Sequence, residues 1–329
     1  MLSLSYIIPT YNNLHLLKRC INSIERQLDP SDRVIIIDDG SKDHTYEYLI
    51  EHYGNVSNFT ILQQQNSGSG VARNLGLEMC KTDYLWFVDS DDIVEENASS
   101  IIKSTLVKDR DDVVFFNHYV QDTKTKKPMK LALNPEDFRE IFLTAHFPWN
   151  KVIKTELFTG VEFPKKHIRY QDHATIPKVL AKAKTIGYIN ECLYTYDISH
   201  DGNISKKLNK NNDLYTACDY LVEHYRQGQF QREEIEIMLI KTFIFNKLYR
   251  QSKSLKEIHA DFKRIRAYLN TNLPDWKRSN CLTSAFAKEY KHLINNLSFK
   301  IGVANLFKRS TFATSSFIWF YLRVKELVK

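Results

Sequence analysis

The sequence predicts an α/β fold in which a doubly wound, mainly parallel sheet is followed by a helical region. Two observations lead to this prediction. Over residues 1–100, short apolar runs alternate with segments of helical spacing, which is typical of parallel strands joined by crossover helices. From residue 208 onward, long amphipathic patterns replace this alternation. We therefore predict a first domain over 1–207 and a helical domain over 208–329.

Four apolar runs rich in β-branched and aromatic residues are the predicted core strands: Leu4–Pro9, Val34–Ile37, Phe59–Leu62 and Tyr84–Val88. Two intervening segments carry apolar residues at helical spacing: Leu17, Cys20 or Ile21, and Ile24 in the first, and Tyr46, Leu49, Ile50 and Tyr53 in the second. Asn12 or Asn13 is placed to cap the first of these helices. Ligands of doubly wound sheets bind beyond the carboxyl ends of the strands, so the residues just after each run are the functional candidates.

Composition and charge narrow the classes of protein to consider. Of the 329 residues, 43% are hydrophobic and 26% are charged, which is ordinary for a globular enzyme. The net charge of +7 suits nucleic acid, anionic lipid or phosphate-bearing ligands. The five cysteines are scattered without a CxxC pair, which argues against a disulfide framework or a zinc site and favours a reducing compartment. Basic and aromatic residues do not interleave as a stacking surface requires, so we expect no nucleic acid.

Polar residues suited to a nucleotide follow the predicted strands: Pro9-Thr10-Tyr11-Asn12, Asp38-Asp39-Gly40-Ser41, Asn66-Ser67-Gly68-Ser69-Gly70 with Arg73, and Asp89-Ser90-Asp91-Asp92. Mg²⁺ and Mn²⁺ prefer one or two carboxylates together with phosphate oxygens and water. An arginine at a helix start adds positive charge beside a pyrophosphate. We therefore predict a nucleoside diphosphate bound through a divalent metal, Mn²⁺ or Mg²⁺. As alternatives, Asp38 and Asp39 cap the next helix, and Asp89–Asp92 is an acidic turn.

The order and spacing of four segments resemble glycosyltransferase family 2, whose members are inverting enzymes of the GT-A (nucleotide-diphospho-sugar transferase) fold. These segments are Ile7–Asn12, Ile37–Ser41, Gly70–Gly76 and Phe87–Asp92. The resemblance covers about residues 3–205. It implies a nucleotide-sugar site made of the strand-end residues Pro9, Thr10, Tyr11, Asn12, Asp38, Asp39, Gly70, Arg73, Asp89 and Ser90. Within that site it implies that Asp39 contacts the nucleobase, that Arg73 contacts the nucleotide and that Asp91 binds the metal.

Two later segments extend the resemblance. Phe147-Pro148-Trp149-Asn150-Lys151 looks like the family's acceptor-side tryptophan segment, which implies Trp149 and Lys151 on the acceptor side. Tyr170-Gln171-Asp172-His173 looks like the family's base motif, with Gln171 in place of a glutamate. The resemblance implies that Asp172 is the catalytic base. The alternative is that Asp172 is a helix cap before Thr175–Leu180.

A third segment closes the region of resemblance. Tyr194-Thr195-Tyr196-Asp197 and Gly202-Asn203-Ile204-Ser205 look like the family's closing segment. An arginine is common where Asp197 stands, so the resemblance implies that its phosphate contact is missing or is supplied elsewhere. His200 lies nearby as a contact for the metal or the diphosphate, or as an ordinary surface histidine.

The resemblance implies inverting transfer of a sugar from a nucleotide-diphosphate donor, a UDP-sugar, to a hydroxyl of a glycan or lipid-linked acceptor in bacterial surface polysaccharide synthesis. Two other functions stay open. A nucleotidyltransferase acting on sugar phosphates also uses an α/β sheet and metal-binding aspartates, but it needs a glycine-rich basic loop where this chain has Pro9–Asn13. A non-catalytic sugar-nucleotide-binding protein would not need both Asp91 and Asp172.

The terminal segment Ser298–Lys329 has aromatic residues flanked by cations, and Glu326 is its only acidic residue. Its uncharged run Ser310–Leu322 is shorter than the roughly 18 residues that span a bilayer. These features predict a helix that lies in an anionic membrane surface. The alternative is a helix docked in the protein core or in a dimer contact. We therefore expect a cytoplasmic protein that is peripheral on the inner face of the plasma membrane.

Overall fold

The computed structural model of the chain describes residues 2–131, 133–144, 146–166, 168–200, 211–246, 254–290, 292, 294 and 296–327, with side chains except those of 211, 319, 320 and 322–327. Two compact units are present. The first comprises Met1–Glu136 with His146–Leu221, and the second comprises Asp137–Ala145 with Val222–Lys329. The domain boundary predicted at residue 207 and the closing segment 202–205 lie outside the described residues, and the boundary stays a prediction.

The first unit is built on one mixed sheet. Its strands are β1 (Leu4–Thr10), β2 (Arg33–Asp38), β3 (Phe59–Gln63), β4 (Tyr84–Phe87), β5 (Ile93–Val94), β6 (Val113–Gln121), β7 (Lys126–Met129), β8 (Lys151–Lys154) and β9 (Ile186–Asp197). Their order across the sheet is β3-β2-β1-β4-β8-β6-β9-β5, and β7 pairs with β6. The half formed by β3, β2, β1 and β4 is parallel throughout, as the sequence predicts.

The helices, in chain order, are α1 (Leu14–Glu25), α2 (Thr45–Tyr53), α3 (Ser69–Met79), α4 (Ala98–Asp109), α5 (Phe138–Leu143), α6 (Gln171–Leu180), α7 (Asn211–Arg226), α8 (Arg232–Leu239), α9 (Leu255–Asn272), α10 (Ser284–Tyr290), α11 (Leu297–Arg309) and α12 (Thr311–Leu327). The α1 stripe is buried as predicted. In α2 only part of the predicted stripe is buried, because Ile50 is 43% exposed. Asn13 is the N-cap of α1 but makes no side-chain cap bond, since its amide donates instead to Ser90 Oγ.

The packing of α3 on the sheet depends on a glycine. A Cβ placed at Gly76 would lie 2.5 Å from Ile7 Cγ2 and 2.9 Å from Ile37 Cδ1. Both isoleucines are fully or almost fully buried in β1 and β2. Only a residue without a side chain lets α3 approach the two strands this closely. This approach sets the position of the α3 N-terminus at the carboxyl edge of the sheet.

The region between residues 118 and 205 differs most from the sequence prediction. It contains β7, β8 and β9, although the sequence pattern there is irregular. β8 runs antiparallel between β4 and β6, whereas β9 runs parallel to β6 with a register shift near Asn117. The basic run Lys124, Lys126, Lys127 and Lys130 indicates an exposed loop or hairpin, and the structure has a hairpin there, because β6 and β7 form an antiparallel pair from His118 to Met129.

The second unit is helical. The amphipathic segments predicted from the sequence are Tyr215–Tyr225, Glu233–Tyr249, Leu255–Leu269 and Phe286–Leu297, and helices α7, α8, α9 and α10 overlap them. α8 continues as a π-helix over Ile240–Asn246. Inside this unit Arg139 Nε lies 2.7 Å from Glu233 Oε1, and the Phe142 and Phe230 rings meet edge to face. The buried Lys241 donates to the Thr144 carbonyl. Among the described residues no helix is long and apolar enough to cross a membrane.

Candidate active site

The ends of the parallel strands bring the predicted nucleotide-binding segments together. Thr10 pairs with Asp38 in the β1–β2 register, and the Asp39 N–H donates to the Thr10 carbonyl at 2.8 Å. On the other side of β1, the Val88 N–H donates to Ile7 O at 3.0 Å. The turns after β1, β2 and β4 therefore share one edge of the sheet, as a doubly wound sheet requires.

The turn after β1 is locked to the turn after β2. Asn12 has a φ of 48°, its N–H donates to Ser41 Oγ at 2.8 Å, and its Oδ1 accepts from the Lys42 N–H at 2.7 Å. The Thr10 hydroxyl is buried and has no hydrogen-bond partner within the described part of the chain. Tyr11 is 45% exposed beside it. The turn thus presents an unsatisfied hydroxyl and an exposed ring, both suited to a nucleoside.

Asp38 and Asp39 hold the glycine-rich turn in place. The Asp39 carboxylate accepts from the N–H groups of Ser67 and Gly68, each at 2.8 Å, and from Gln64 Nε2 at 2.7 Å. The buried Asp38 carboxylate accepts from the Ser41 N–H and Gln63 Nε2. Neither caps the next helix, because the N-cap of α2 is His44. The alternative reading of these two residues as helix caps is therefore wrong.

Arg73 on α3 connects two parts of the site. Its Nη2 lies 2.7 Å from Asp89 Oδ1, and the side chain is almost fully buried. Phe163 and Phe87 pack near the guanidinium, with ring centroids 5.6 and 6.0 Å from its carbon. Burial raises the pKa of the Asp172 carboxyl, and the positive charge of Arg73 opposes this rise. The Arg73 guanidinium thus forms an ion pair with the turn after β4, and its charge opposes the rise in the pKa of a carboxyl at the start of α6.

The turn after β4 is an acidic cluster tied to β9. The Tyr194 hydroxyl donates to Asp92 Oδ2 at 2.7 Å and accepts from the Asp89 N–H at 3.1 Å. The Asp197 N–H donates to Asp92 Oδ1 at 2.8 Å. Burial and the charges of Asp91 and Asp89 raise the pKa of Asp92 well above its usual range. Asp92 is therefore a structural residue that closes the turn against β9.

Asp91 faces outward from the same turn. Its Oδ2 lies 3.3 Å from His200 Nε2, so the structure brings together the two residues predicted to ligate a metal. Burial and the negative charge of Asp89 raise the pKa of Asp91 to about 6, against the opposing effect of His200. In the described part of the chain, no three ligating side chains lie close enough to hold a metal by themselves.

Arg19 is a site residue that the sequence analysis missed. Its Nη2 lies 2.6 Å from Asp197 Oδ2 and 3.5 Å from the Asp91 carbonyl. Burial opposes ionisation of Asp197, but hydrogen bonds from Ser199 and Arg19 prevail and lower its pKa. The signal in the sequence was the aspartate at a position where the resembled family carries arginine. A cation on a neighbouring element is the expected partner for a buried carboxylate there.

Asp172 lies in the first turn of α6. The N-cap of this helix is Tyr170, which has a φ of 62°, so Asp172 is inside the helix and the predicted cap role is wrong. Gln171 bonds to Ser69 Oγ, and a Cβ on Gly70 would collide with its amide oxygen. The start of α6 is therefore held directly against the start of α3, beside Arg73.

The predicted acceptor segment is placed beside α6 but is mostly buried. Trp149 is 3% exposed, and the Lys151 side chain is fully buried in β8. The Lys151 ammonium donates to Phe147 O and Asn150 Oδ1. Burial lowers the pKa of Lys151 to about 7, and the negative charge of Asp172 opposes this effect. Phe147, 41% exposed, is the aromatic residue of the segment that reaches the surface.

An α/β sheet with an arginine, a glycine-rich turn and an acidic cluster at one edge defines the class of GT-A-fold transferases, and comparison with known proteins agrees. The model of the glycosyl transferase family 2 matches residues 5–183. The chain therefore belongs to glycosyltransferase family 2 and is a glycosyltransferase. Family membership therefore argues against both alternative functions, a nucleotidyltransferase and a non-catalytic sugar-nucleotide-binding protein.

Three relatives illustrate the similarity. The chain is 30% identical to glycosyltransferase GlyG of Streptococcus pneumoniae over 212 residues, covering 59% of this chain and 70% of GlyG. The structure of S. aureus TarS 1–349 in complex with UDP-GlcNAc superimposes with a TM-score of 0.74 at 18% identity, covering 94% and 92% of the two chains. Mannosyltransferase PcManGT of Pyrobaculum calidifontis, in complex with GDP-Man and Mn²⁺, gives a TM-score of 0.52 at 14% identity and 93% and 88% coverage. The structural matches confirm the fold.

The Arg19–Asp197 pair gives a prediction for stability. Replacing Arg19 with methionine leaves a buried carboxylate without its ion-pair partner, so we expect the free energy of unfolding to fall by about 1–3 kcal/mol at neutral pH. The loss should shrink in acid, because the lowered pKa of Asp197 stabilises the fold only above that pKa. Urea denaturation across pH measures both effects.

The double variant Arg19→Met with Asp197→Asn is the control for this prediction. It has no buried charge left at the pair, so it should regain part of the lost stability and lose the pH dependence. A double variant that is less stable than Arg19→Met alone would contradict this account of the pair.

Proposed function

We propose that this glycosyltransferase moves a sugar from a UDP-sugar to a hydroxyl of a glycan or lipid-linked acceptor, with inversion at the anomeric carbon, in bacterial surface polysaccharide synthesis. The observation that carries the proposal is the position of Arg73. Its guanidinium pairs with Asp89 in the donor-side turn and acts on the charge of Asp172 at the start of α6. A donor site and a base on opposite sides of one sugar are what a single displacement needs.

The proposed donor site consists of the turns after β1, β2 and β4 with the start of α3. The residues that we propose for it are Pro9, Thr10, Tyr11, Asn12, Asp38, Asp39, Gly70, Arg73, Asp89 and Ser90. The Asp39 carboxylate accepts three hydrogen bonds from the protein. Since a carboxylate can accept about four, it can accept one more from an N–H of the nucleobase. The TarS complex with UDP-GlcNAc supports a uridine diphosphate donor.

The proposed reaction is one displacement. The acceptor hydroxyl oxygen forms a bond to the anomeric carbon while the bond from that carbon to the diphosphate oxygen breaks, and its electron pair leaves with the diphosphate. The acceptor proton passes to the Asp172 carboxylate. Arg73 stabilises the negative charge that grows on the departing diphosphate. Gln171 and Gly70 keep the base at a fixed distance from this charge by holding α6 against α3.

Asp91 and His200 are the proposed metal ligands. An imidazole and a carboxylate that face each other, with Asp89 beside them, are a donor set that fits Mn²⁺ or Mg²⁺ once diphosphate oxygens and water complete the coordination. The bound ion would supply positive charge opposite the diphosphate. The Mn²⁺ in the PcManGT complex supports this proposal.

The base is tested by Asp172→Asn. The amide cannot accept the acceptor proton, so we expect turnover to fall at least about a hundredfold while nucleotide affinity is kept. Because burial raises the pKa of Asp172, wild-type turnover should decline in acid at a higher pH than that of an ordinary carboxyl, and the variant should lack this decline. The measurement is release of nucleoside diphosphate from a panel of nucleotide sugars across pH.

The same panel identifies the donor. Release of nucleoside diphosphate from a UDP-sugar supports the proposed donor, whereas release from GDP-sugars alone contradicts it. Near-normal turnover of Asp172→Asn would show that another group takes the proton. UDP binding by calorimetry confirms that the variant site is intact.

The metal is tested by Asp91→Ala and by a chelator. We expect both to abolish transfer, and we expect Mn²⁺ binding in the presence of UDP to disappear from the variant by calorimetry. Asp109→Ala is the matched control, because Asp109 is an exposed aspartate at the end of α4. Full activity of the wild type in excess chelator would overturn the metal proposal.

We also propose that α11 and α12 bring the protein to an anionic membrane surface. Phe312 is 67% exposed and Phe317 is 41% exposed, whereas Ile318 of the same helix is fully buried. Phe299 of α11 is 37% exposed and lies 6.1 Å from Phe317, ring centre to ring centre. An exposed aromatic face in a cation-rich segment suits insertion at the interface.

Vesicle sedimentation tests this membrane contact. We expect binding to anionic vesicles at low salt, weaker binding at high salt, and loss of binding in Phe312→Ser with Phe317→Ser. Phe138→Ser is the control, since Phe138 is 38% exposed in a helix outside this segment. Equal binding by both variants would place the membrane contact elsewhere.

A further inference from the structure

An aromatic stack extends from the acidic cluster towards the surface. The Trp149 ring lies 4.9 Å from the Tyr194 ring and 5.0 Å from the Phe147 ring, at interplanar angles of 9° and 11°. Tyr194 is fully buried and bonds to Asp92, whereas Phe147 is 41% exposed. The partly exposed Tyr196 ring also stacks on Trp149, at 5.5 Å. Phe147 is the most exposed ring of a stack whose inner end bonds to Asp92.

The backbone that carries the outer ring is held at both ends. Trp86 Nε1 donates to the Trp149 carbonyl at 2.7 Å, and the buried Lys151 ammonium donates to the Phe147 carbonyl. Burying an ammonium costs free energy that is tolerated only where its bonds are needed. The backbone on either side of the stacked Trp149 ring is therefore held by buried groups on two strands.

The segment that carries the outer ring also contacts the start of α6, which carries the proposed base. His146, which precedes Phe147, places its Nδ1 3.3 Å from the Nδ1 of His173, which follows Asp172. The charge of Asp172 in turn acts on Lys151, whose ammonium holds the Phe147 carbonyl. The segment that carries Phe147 is therefore tied to the start of α6, while its Trp149 ring stacks on Tyr194.

A single exposed phenylalanine is ordinary on a protein surface. Phe147 differs because one of its faces is covered by a parallel, buried ring, so the remaining face is fixed in direction. Aromatic faces are electron-rich and attract the weakly positive C–H groups that line one face of a pyranose ring. The occupant that suits such a face beside a base is a sugar ring with a hydroxyl to donate.

We propose that Phe147 is the platform on which the acceptor's pyranose ring stacks, with the reacting hydroxyl directed to Asp172. This rests on the proposed function and deepens it, because it makes the acceptor residue a sugar. The role implied for the tryptophan of this segment belongs instead to Phe147, since Trp149 is buried and supports the ring from behind.

Saturation-transfer NMR with methyl β-D-glucopyranoside and the methyl glycoside of N-acetyl-β-D-glucosamine, in the presence of UDP, tests the platform. We expect saturation of the axial C–H hydrogens in the wild type and in Phe147→Trp. In Phe147→Ala and Phe147→Leu the apparent affinity should fall about fivefold to tenfold, because neither side chain has an aromatic face.

Two exposed aromatic residues serve as controls. Phe138→Ala, at 38% exposure, should leave glycoside binding unchanged. Tyr170, 42% exposed and two residues before Asp172, is the competing platform, so a loss in Tyr170→Ala with none in Phe147→Ala overturns the proposal. Equal saturation in the wild type and Phe147→Ala, or none in the wild type, overturns it as well.

Donor hydrolysis separates this inference from the proposed function. Water replaces the acceptor in that reaction, so release of nucleoside diphosphate by the wild type tests the proposed function without the platform. If the wild type releases none while glycosides still bind through Phe147, the proposed function fails and the platform stands. If hydrolysis proceeds and Phe147 has no effect on glycosides, only the platform fails.

Discussion

The ion pair between Arg73 and Asp89 is the interaction on which the rest of the site depends. The guanidinium is almost fully buried, and its Nε has no hydrogen-bond partner within the described residues. A cation so placed is stable only with carboxylates close by, and Asp89 and Asp172 supply them from separate elements. Gly76 sets α3 against the sheet and so sets the height of Arg73 above the strand ends. The turn after β4 and Asp172, the proposed base, are thereby coupled through one charge.

The site also contains carboxylates other than the one that Arg73 pairs with. Asp91 and Asp92 both have raised pKa values because burial and neighbouring carboxylates disfavour their ionised forms. The Asp92 carboxylate accepts two hydrogen bonds from β9, and the Asp197 carboxylate forms an ion pair with Arg19. Both carboxylates are therefore stabilised by partners within the protein. Within the described residues, Asp91 Oδ2 lies 3.3 Å from His200 Nε2. Asp91 is the carboxylate of the cluster that we propose for the metal.

The sequence was sufficient for the parallel half of the sheet and for the segments at its edge. β1, β2 and β4 are continuous apolar runs because both faces of a parallel sheet are covered. Such runs can be recognised as strands in the sequence. β8 and β9 were missed because β8 has four residues, one of them the buried Lys151, and β9 mixes polar with apolar positions. Arg19 was missed because its partner is 178 residues away, and a single sequence without a structure does not reveal that pairing. The burial of Trp149 follows from stacking on β9, which no local pattern encodes.

The glutamine at position 171 fits the charge balance of this chain. Its amide bonds to Ser69 and lies against Gly70, next in the chain to Asp172, the proposed base. A glutamate at this position would add a third carboxylate near Asp89 and Asp172, with Arg73 as the shared counter-charge. Because like charges favour protonation of a neighbour, it would raise further the pKa of Asp172, which burial already raises. A neutral amide gives the same link between α6 and α3 while leaving the positive charge of Arg73 to oppose the rise in the pKa of Asp172, the proposed base.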